Sequence, residues 1–448
     1  MYHHHEKQNC RGTWETVPAA RRVGHRVAGS RNHRKRLCIW TSAPLRRSGT
    51  HEGRTSAAGN SVRDGDRRVW RKMNLVYLDH AATSWPKPRE ILDAARDASV
   101  HAGGNPGRGA HPLSDAASGL LYSAREEAAS FFGGIPERTV FTSGATCSLN
   151  IAIRGLVRPG DHILFDNLVH NAVLRPIRAL EAAGLCTSDF YDASGSDGEL
   201  MESLRAKAGP RTRLVIATHQ SNICSRILPI REIGRFCRER GLLFVVDAAQ
   251  SGGHLPISLP EDGIDALCLP GHKGLMGLPG VGLLLLSDRA RCDPLLFGGA
   301  GIRSEDPGMP EELPERLEAG TLPLPAIASV AAGIRLIRKT GLDAIRRHEE
   351  KLSALFAEGI GRMGRYRIAG ESRGGVVSIL HETVSPAAIG TCLAEQGICV
   401  RTGYHCAPLA HRTLGTEKQG TVRVSFGLSN TAQDIERILN VLNEIDEF

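Results

Sequence analysis

Leu242-Leu243-Phe244-Val245-Val246-Asp247-Ala248-Ala249-Gln250 is five apolar residues in succession closed by an acid. A run that is apolar at every position, rather than at alternate ones, suits a strand covered on both faces. The acid at its end stands where ligands bind in open α/β sheets. Short apolar, β-rich runs recur at 139–141, 162–165, 214–217 and 281–286, with helix-compatible stretches at 114–132, 173–183 and 228–240 between them. That alternation predicts an α/β fold with a mostly parallel, helix-covered sheet. The pattern breaks at Thr321-Leu322-Pro323-Leu324-Pro325. Helical segments at 326–339 and 342–359, strands at 376–380 and 421–425, and a last helix from Thr431 then predict a smaller α+β C-terminal domain.

Charge divides the chain differently. Of 448 residues with a net charge of +8, the first 72 hold 17 Lys and Arg against 5 Asp and Glu, leaving 39 against 43 for the rest. The basic character belongs to an extension without regular periodicity, expected to be disordered, and the body is mildly acidic. The extension lacks the continuous apolar core of a secretory signal, although its Arg-rich composition overlaps with that of transit peptides. Met73, just before Asn74-Leu75-Val76-Tyr77-Leu78-Asp79, is the expected start of the working protein. We therefore expect 1–72 to be an extension, 73–325 a large domain and 326–448 a small domain, with 73–90 a candidate for packing on the latter. An aromatic content of 5% argues against a base-stacking nucleic-acid binder. The longest apolar run, 281–286, is far too short for a membrane span. Eleven cysteines with no CxxC pair argue against a disulfide framework or structural zinc and for a reducing compartment.

Chemistry collects at four predicted strand ends. Lys273, in Leu269-Pro270-Gly271-His272-Lys273-Gly274, lies in a glycine-rich loop between two apolar runs. Desolvated, or set near another cation, it would serve as an amine nucleophile; an exposed loop lysine is the plainer alternative. Asp247 suits a ligand cation such as a protonated pyridine nitrogen, or a helix cap. Ser143-Gly144-Ala145-Thr146 before a helix-like stretch suits an anion, as do many ordinary caps. His170 and Asn222 each follow a strand and could contact a flat ring, though a lone histidine is more often structural.

The order of these motifs resembles the class V (fold type I) pyridoxal phosphate (PLP) enzymes, specifically cysteine desulfurases of the SufS-like and selenocysteine lyase-like group. The resemblance runs from Tyr77-Leu78-Asp79-His80-Ala81-Ala82-Thr83 to the C-terminus. It is carried most specifically by VVDAAQ (245–250), PGHKG (270–274), EAGT (318–321) and RTGYHCAP (401–408). It implies a large domain with a seven-stranded sheet, PLP as cofactor, L-cysteine as substrate and a homodimer. Lys273 then looks like the Schiff-base lysine, Asp247 the partner of the pyridine nitrogen, and His170 the ring-stacking and proton-transfer residue. Gln250 and Asn222 would contact the ring oxygen or the substrate, while Thr146, His272 and the Ala145 backbone would hold the phosphate. Thr321 would reach the phosphate of the neighbouring subunit, Arg423 would clamp the substrate carboxylate, and Arg401 would also belong to the substrate-binding set. Cys406 would attack the substrate sulfur and become a persulfide, with Arg401 and His405 favouring its thiolate. No metal is implied. A sulfur-acceptor protein, for iron–sulfur cluster or thio-cofactor synthesis, and a cytoplasmic location are.

Three positions depart from the family pattern. Pro270 stands where a phosphate-binding Ser or Thr is usual, Cys147 where Glu is frequent, and Ser225 where Gly is common. Two rival functions stay open. One is another enzyme of this family, a selenocysteine lyase or aminotransferase, in which Cys406 is incidental. The other is polyanion binding through residues 1–72, with salt-dependent affinity.

Overall fold

The computed structural model describes residues 75–372 and 374–446; the basic extension 1–72 lies outside them. A short strand β1 (Val76–Tyr77) and helices α1 (Arg89–His101) and α2 (Pro112–Phe132) lead into the main sheet. Its strands are β2 (Thr139–Thr142), β3 (Asp161–Asp166), β4 (Cys186–Tyr191), β5 (Thr212–Thr218), β6 (Leu243–Asp247), β7 (Ala266–Pro270) and β8 (Gly282–Leu286). They lie in the order β2-β8-β7-β6-β5-β3-β4. β8 runs antiparallel to both neighbours, and the pairings from β7 to β4 are parallel.

Continuous apolar runs become two cores because alternate residues face opposite sides. Val140, Ile163, Phe165, Leu214, Ile216, Leu243 and Val245 pack with α3 (Ala145–Leu156) and α4 (Asn171–Ala182). Their neighbours Phe141, Leu164, Val215, Phe244, Val246 and Leu267 pack with α2, α5 (Asp197–Lys207), α6 (Ile230–Glu239) and α7 (Leu324–Thr340). Strand β4 is the one the apolar pattern misses: Cys-Thr-Ser-Asp-Phe-Tyr is polar at its centre, as suits a sheet edge.

A second, antiparallel sheet has the order β12-β13-β10-β9, from β9 (Tyr366–Ile368), β10 (Val376–His381), β12 (Arg401–Gly403) and β13 (Thr421–Ser425). Its core draws on Leu352 and Phe356 of α8 (Leu342–Gly361) and Ile435 and Ile438 of the C-terminal helix, Ala432–Asp446. Between β10 and β12 lie α9 (Pro386–Glu395) and β11 (Ile398–Cys399), and β1 pairs in parallel with β11. The segment at 76–77 is thereby fastened to a strand more than 300 residues later. Helix α10 (Pro408–Thr413) and then α11 (Ala432–Asp446) complete the chain. No helix among the described residues is long and apolar enough to cross a membrane.

One buried ion pair fastens the 318–321 segment to the main sheet. Arg125 of α2 donates to Glu318 Oε1 at 2.7 Å and Oε2 at 2.9 Å, and Glu318 Oε1 also accepts the Phe141 N–H at 2.6 Å. Both side chains are under one-tenth exposed. Removing one partner strands the other charge in an apolar setting. Glu318→Ala should therefore lower the unfolding free energy by roughly 3–5 kcal/mol, read from the shift of the urea unfolding transition; a shift within error would show that Arg125 is relieved by other groups.

Candidate active site

The carboxyl ends of the parallel strands converge on a cavity of about 240 Å³. The end of β2 supplies Ser143 and Gly144. Gly144 has φ 145°, a conformation that favours glycine, and precedes the first turn of α3 without a side-chain cap. The first N–H groups of that helix, beginning at Ala145 and Thr146, are thus free for an anion. Cys147 lies beside them on the same wall.

Asp247 ends β6 and is 3% exposed. Burial pushes its carboxyl up, opposed by the Ala249 N–H at 2.9 Å and by Lys273. Lys273 follows the end of β7, in a turn with no space for side chains at its glycines. A Cβ on Gly274 would lie 2.2 Å from the Gly252 carbonyl oxygen, and one on Gly271 2.5 Å from Val330. Burial depresses the Lys273 amine to about 8, Asp247 opposes this, and Arg423 and Arg401 add to it. It is the desolvated, cation-flanked environment that makes an amine a usable nucleophile and base.

His170 caps α4, its Nδ1 accepting the Ala172 N–H at 3.0 Å. Burial, then Lys273 and nearby arginines, lower it to about 4, so it is neutral at pH 7. His272 is held at about 4 by the same burial and by Lys273. Asn222 donates from Nδ2 to the His405 carbonyl at 2.9 Å, while Gln250 donates to the Ala81 carbonyl at 3.0 Å. Ala145, Thr146, His170, Asn222, Asp247, Gln250, His272 and Lys273 line this one cavity. Thr321 does not; it is exposed on the stretch after Glu318.

The cysteine loop is tied to the cavity wall by hydrogen bonds rather than lining it. The Cys406 carbonyl accepts the Asn171 N–H at 2.7 Å, and the His405 carbonyl is held by Asn222. His405 and Cys406 have φ 47° and 58°, two successive left-handed residues that are not glycine. The Cys406 side chain is exposed, with Arg401 Nη2 3.8 Å from its sulfur. The thiol-activating role expected of His405 does not hold. Its Nε2 is 2.9 Å from Thr421 Oγ1, and burial lowers the ring to about 2, so it carries no charge toward the thiol.

Arg423, 1% exposed, donates from Nη2 to Asp79 Oδ1 at 2.7 Å and from Nη1 to the Asn222 carbonyl at 3.3 Å. Its Nε is buried without a partner. Sequence reasoning missed Asp79, which is 344 residues from Arg423, and Thr218, at the carboxyl end of β5 beside Asp247. The available signal for Thr218 was its place after the four-residue apolar run Leu214 to Ala217. Ser225, where glycine is common, has φ 54° and is held there by its own hydroxyl, which donates to the Val376 carbonyl at 2.7 Å and accepts the Val376 N–H at 3.1 Å.

The residues present fit PLP. Thr218 Oγ1, Asn222 Oδ1 and His272 Nδ1 are buried cavity-wall atoms without partners, ready for a polar ligand. A buried acid for a ring cation, a depressed lysine for an aldehyde and an uncapped helix start for a phosphate share the same space.

Comparison with known proteins agrees. A probable cysteine desulfurase of Methanothermobacter thermautotrophicus is 32% identical over 83% of this chain and 94% of its own length. Probable cysteine desulfurase 2 of Mycobacterium leprae is 34% identical over 85% of this chain and 94% of that protein. Among solved structures, the apo cysteine desulfurase of Thermococcus onnurineus NA1 superposes with a TM-score of 0.77 at 31% identity, covering 83% of this chain and 95% of that one. The aminotransferase class-V profile matches residues 76–438, and with that span, this fold and this site the chain belongs to the aminotransferase class-V family of PLP-dependent enzymes.

Proposed function

We propose that the protein is a cysteine desulfurase that converts L-cysteine to L-alanine and carries the released sulfur as a persulfide on Cys406. The observation that carries this reading is the hydrogen-bonding of the Cys406 loop to the cofactor cavity, through Asn171 and Asn222, with the thiol itself exposed beside Arg401. PLP, when bound, supplies the electron sink for negative charge at the substrate Cα. Arg423, with its unpartnered Nε, binds the substrate carboxylate, and Asp79 orients the guanidinium. Lys273 takes the α-proton, for which its depressed amine is suited. Cys406 Sγ then attacks the substrate sulfur. An S–S bond forms, the Cβ–S bond breaks, and its electron pair stays with carbon; protonation at Cβ, and return of a proton from the Lys273 ammonium to Cα, then give alanine. The exposed persulfide passes to an acceptor protein for iron–sulfur cluster or thio-cofactor synthesis.

A homodimer in the cytoplasm fits this reading. Thr321 is exposed next to a groove bordered by Arg108, Ile302, Leu313, Gly320 and Leu322, and the nearby Leu296 and Phe297 are 59% and 76% exposed. Apolar side chains left in the open suit a surface covered by a second copy. Division of the chain near residue 325, with the cysteine loop on the C-terminal part, belongs to the same proposal.

Three substitutions test the assignment. Lys273→Ala should give a colourless protein without turnover; retention of the yellow cofactor would remove Lys273 from its role. Cys406→Ala should keep the colour yet lose alanine and sulfide formation from cysteine by more than about a hundredfold. An unchanged rate would instead favour an aminotransferase or β-eliminating enzyme, and undiminished turnover of selenocysteine alone would favour a selenocysteine lyase. Arg423→Ala should weaken the apparent binding of cysteine by about 10- to 100-fold, the worth of a charged hydrogen-bond pair, read as KM in steady-state assays.

A further inference from the structure

The turn that carries Lys273 satisfies its carbonyls in two ways. Gly271 O accepts the Gly277 N–H and Lys273 O accepts the Met276 N–H, each at 2.8 Å, within the turn itself. The carbonyl between them, His272 O, is reached from outside. It receives the Ser84 N–H at 3.0 Å, and the Thr83 hydroxyl, the Ser84 hydroxyl and the Lys87 ammonium each lie 3.1 Å from it. A carbonyl offers two lone pairs, so these four donors are more than it can fully serve. The ammonium is the strongest of them, because a charged donor makes the stronger bond.

Lys87 is unusual in its own right. It is half-buried, burial pushes its amine down to about 8, and no neighbouring carboxylate offsets that effect. Its Nζ donates to Ser84 Oγ at 2.7 Å and to His272 O. A lysine of the solvated surface would leave its ammonium in water, and a structural ion pair would bring an acid. Here the desolvated charge is directed at one peptide group, and that group is attached to Lys273.

Lys87 also borders a second cavity, of about 270 Å³, whose wall includes Lys273, His80, His254 and Glu349. Lys273 thus has the cofactor cavity on one side and this space on the other. The segment ending at Lys87 begins at β1, which is paired to β11. In between, Asp79 holds Arg423, and the Ala81 N–H donates to Ser425 Oγ of β13 at 2.9 Å. A single stretch therefore grips the guanidinium of β13 and the peptide before Lys273. Within the turn, Pro270 occupies a position without a hydroxyl to steady a bound phosphate.

We propose that Lys87 is a positioning residue: with Ser84 it fixes the His272–Lys273 peptide from behind, and so sets the direction of the Lys273 side chain and the His272 ring at the cofactor cavity. This rests on Lys273 being the lysine that holds PLP. The test uses the full-length holoenzyme, dialysed against graded PLP and followed by visible absorbance and visible circular dichroism, with Lys87→Met, Lys87→Arg and Lys273→Ala alongside. Lys87→Met should retain the cofactor about tenfold less tightly, the share expected of one charged hydrogen bond. It should also alter the visible dichroism per bound cofactor, while the melting midpoint of the full-length protein stripped of cofactor stays where it is, since cofactor binding itself raises the midpoint. Lys87→Arg, which keeps a cationic donor, should restore most of both. A Lys87→Met protein with wild-type affinity and dichroism overturns the proposal. So does failure of Met and Arg alike with a lowered melting midpoint of the cofactor-free protein, which would make Lys87 a packing residue. A yellow Lys273→Ala protein overturns the assignment of Lys273 and this proposal together, whereas a colourless one beside an indifferent Lys87→Met overturns this proposal alone.

Discussion

Two opposite charges held out of water, Asp247 at the end of β6 and Lys273 just past the end of β7, govern the arrangement of the site. Burial disfavours both ionised forms, and each is partly relieved by the other. The sheet sets their relation, since β6 and β7 are parallel neighbours with Asp247 opposite Cys268. Groups of this kind are costly to bury and are kept where chemistry uses them. The packing around them follows: glycines in the lysine turn, apolar residues on both faces of each strand, and histidines kept neutral on the cavity wall.

The second sheet contributes through hydrogen bonds to this centre rather than through a large share of its lining. Arg423 of β13 and the loop after β12 meet residues beyond the ends of β3 and β5, namely Asn171 and Asn222. Asn222 is bonded on both sides, its side chain to the His405 carbonyl and its own carbonyl to Arg423. The cysteine loop and Arg423 are thus referred to one residue beyond the end of β5. The serines at 225 and 378 add to the same seam, bonding the Val376 and Ile223 backbones.

Much of the fold was legible because a sheet buried on both faces writes itself as unbroken apolar runs. Strands β2, β3, β5, β6, β7 and β8 all carry that signature, and edge strand β4, with Thr187, Ser188 and Asp189 at its centre, does not. Lys273 and Asp247 were readable because a charge after an apolar run is conspicuous. Asp79, Lys87 and Thr218 were not, since each acts through a partner that only the folded chain brings near; Lys87 and His272 are 185 residues apart. His405 shows the opposite failure: its adjacency to Cys406 suggested help for the thiol, while the left-handed backbone at both residues turns the ring toward Thr421. Chain proximity is a poor guide to direction wherever φ is positive.

That same turn separates scaffold from reagent. Residues 405 and 406 are held by their carbonyls, so the loop's path owes nothing to which side chain occupies position 406. The steric cost of φ 58° falls on every residue with a Cβ, least on Asn or Asp and most on β-branched side chains. A lineage could therefore exchange the exposed thiol at 406 for another group, or regain it, while the two carbonyl hydrogen bonds that hold the loop stay in place. Divergence between sulfur-mobilising enzymes and relatives of other chemistry then requires no intermediate with a disturbed fold.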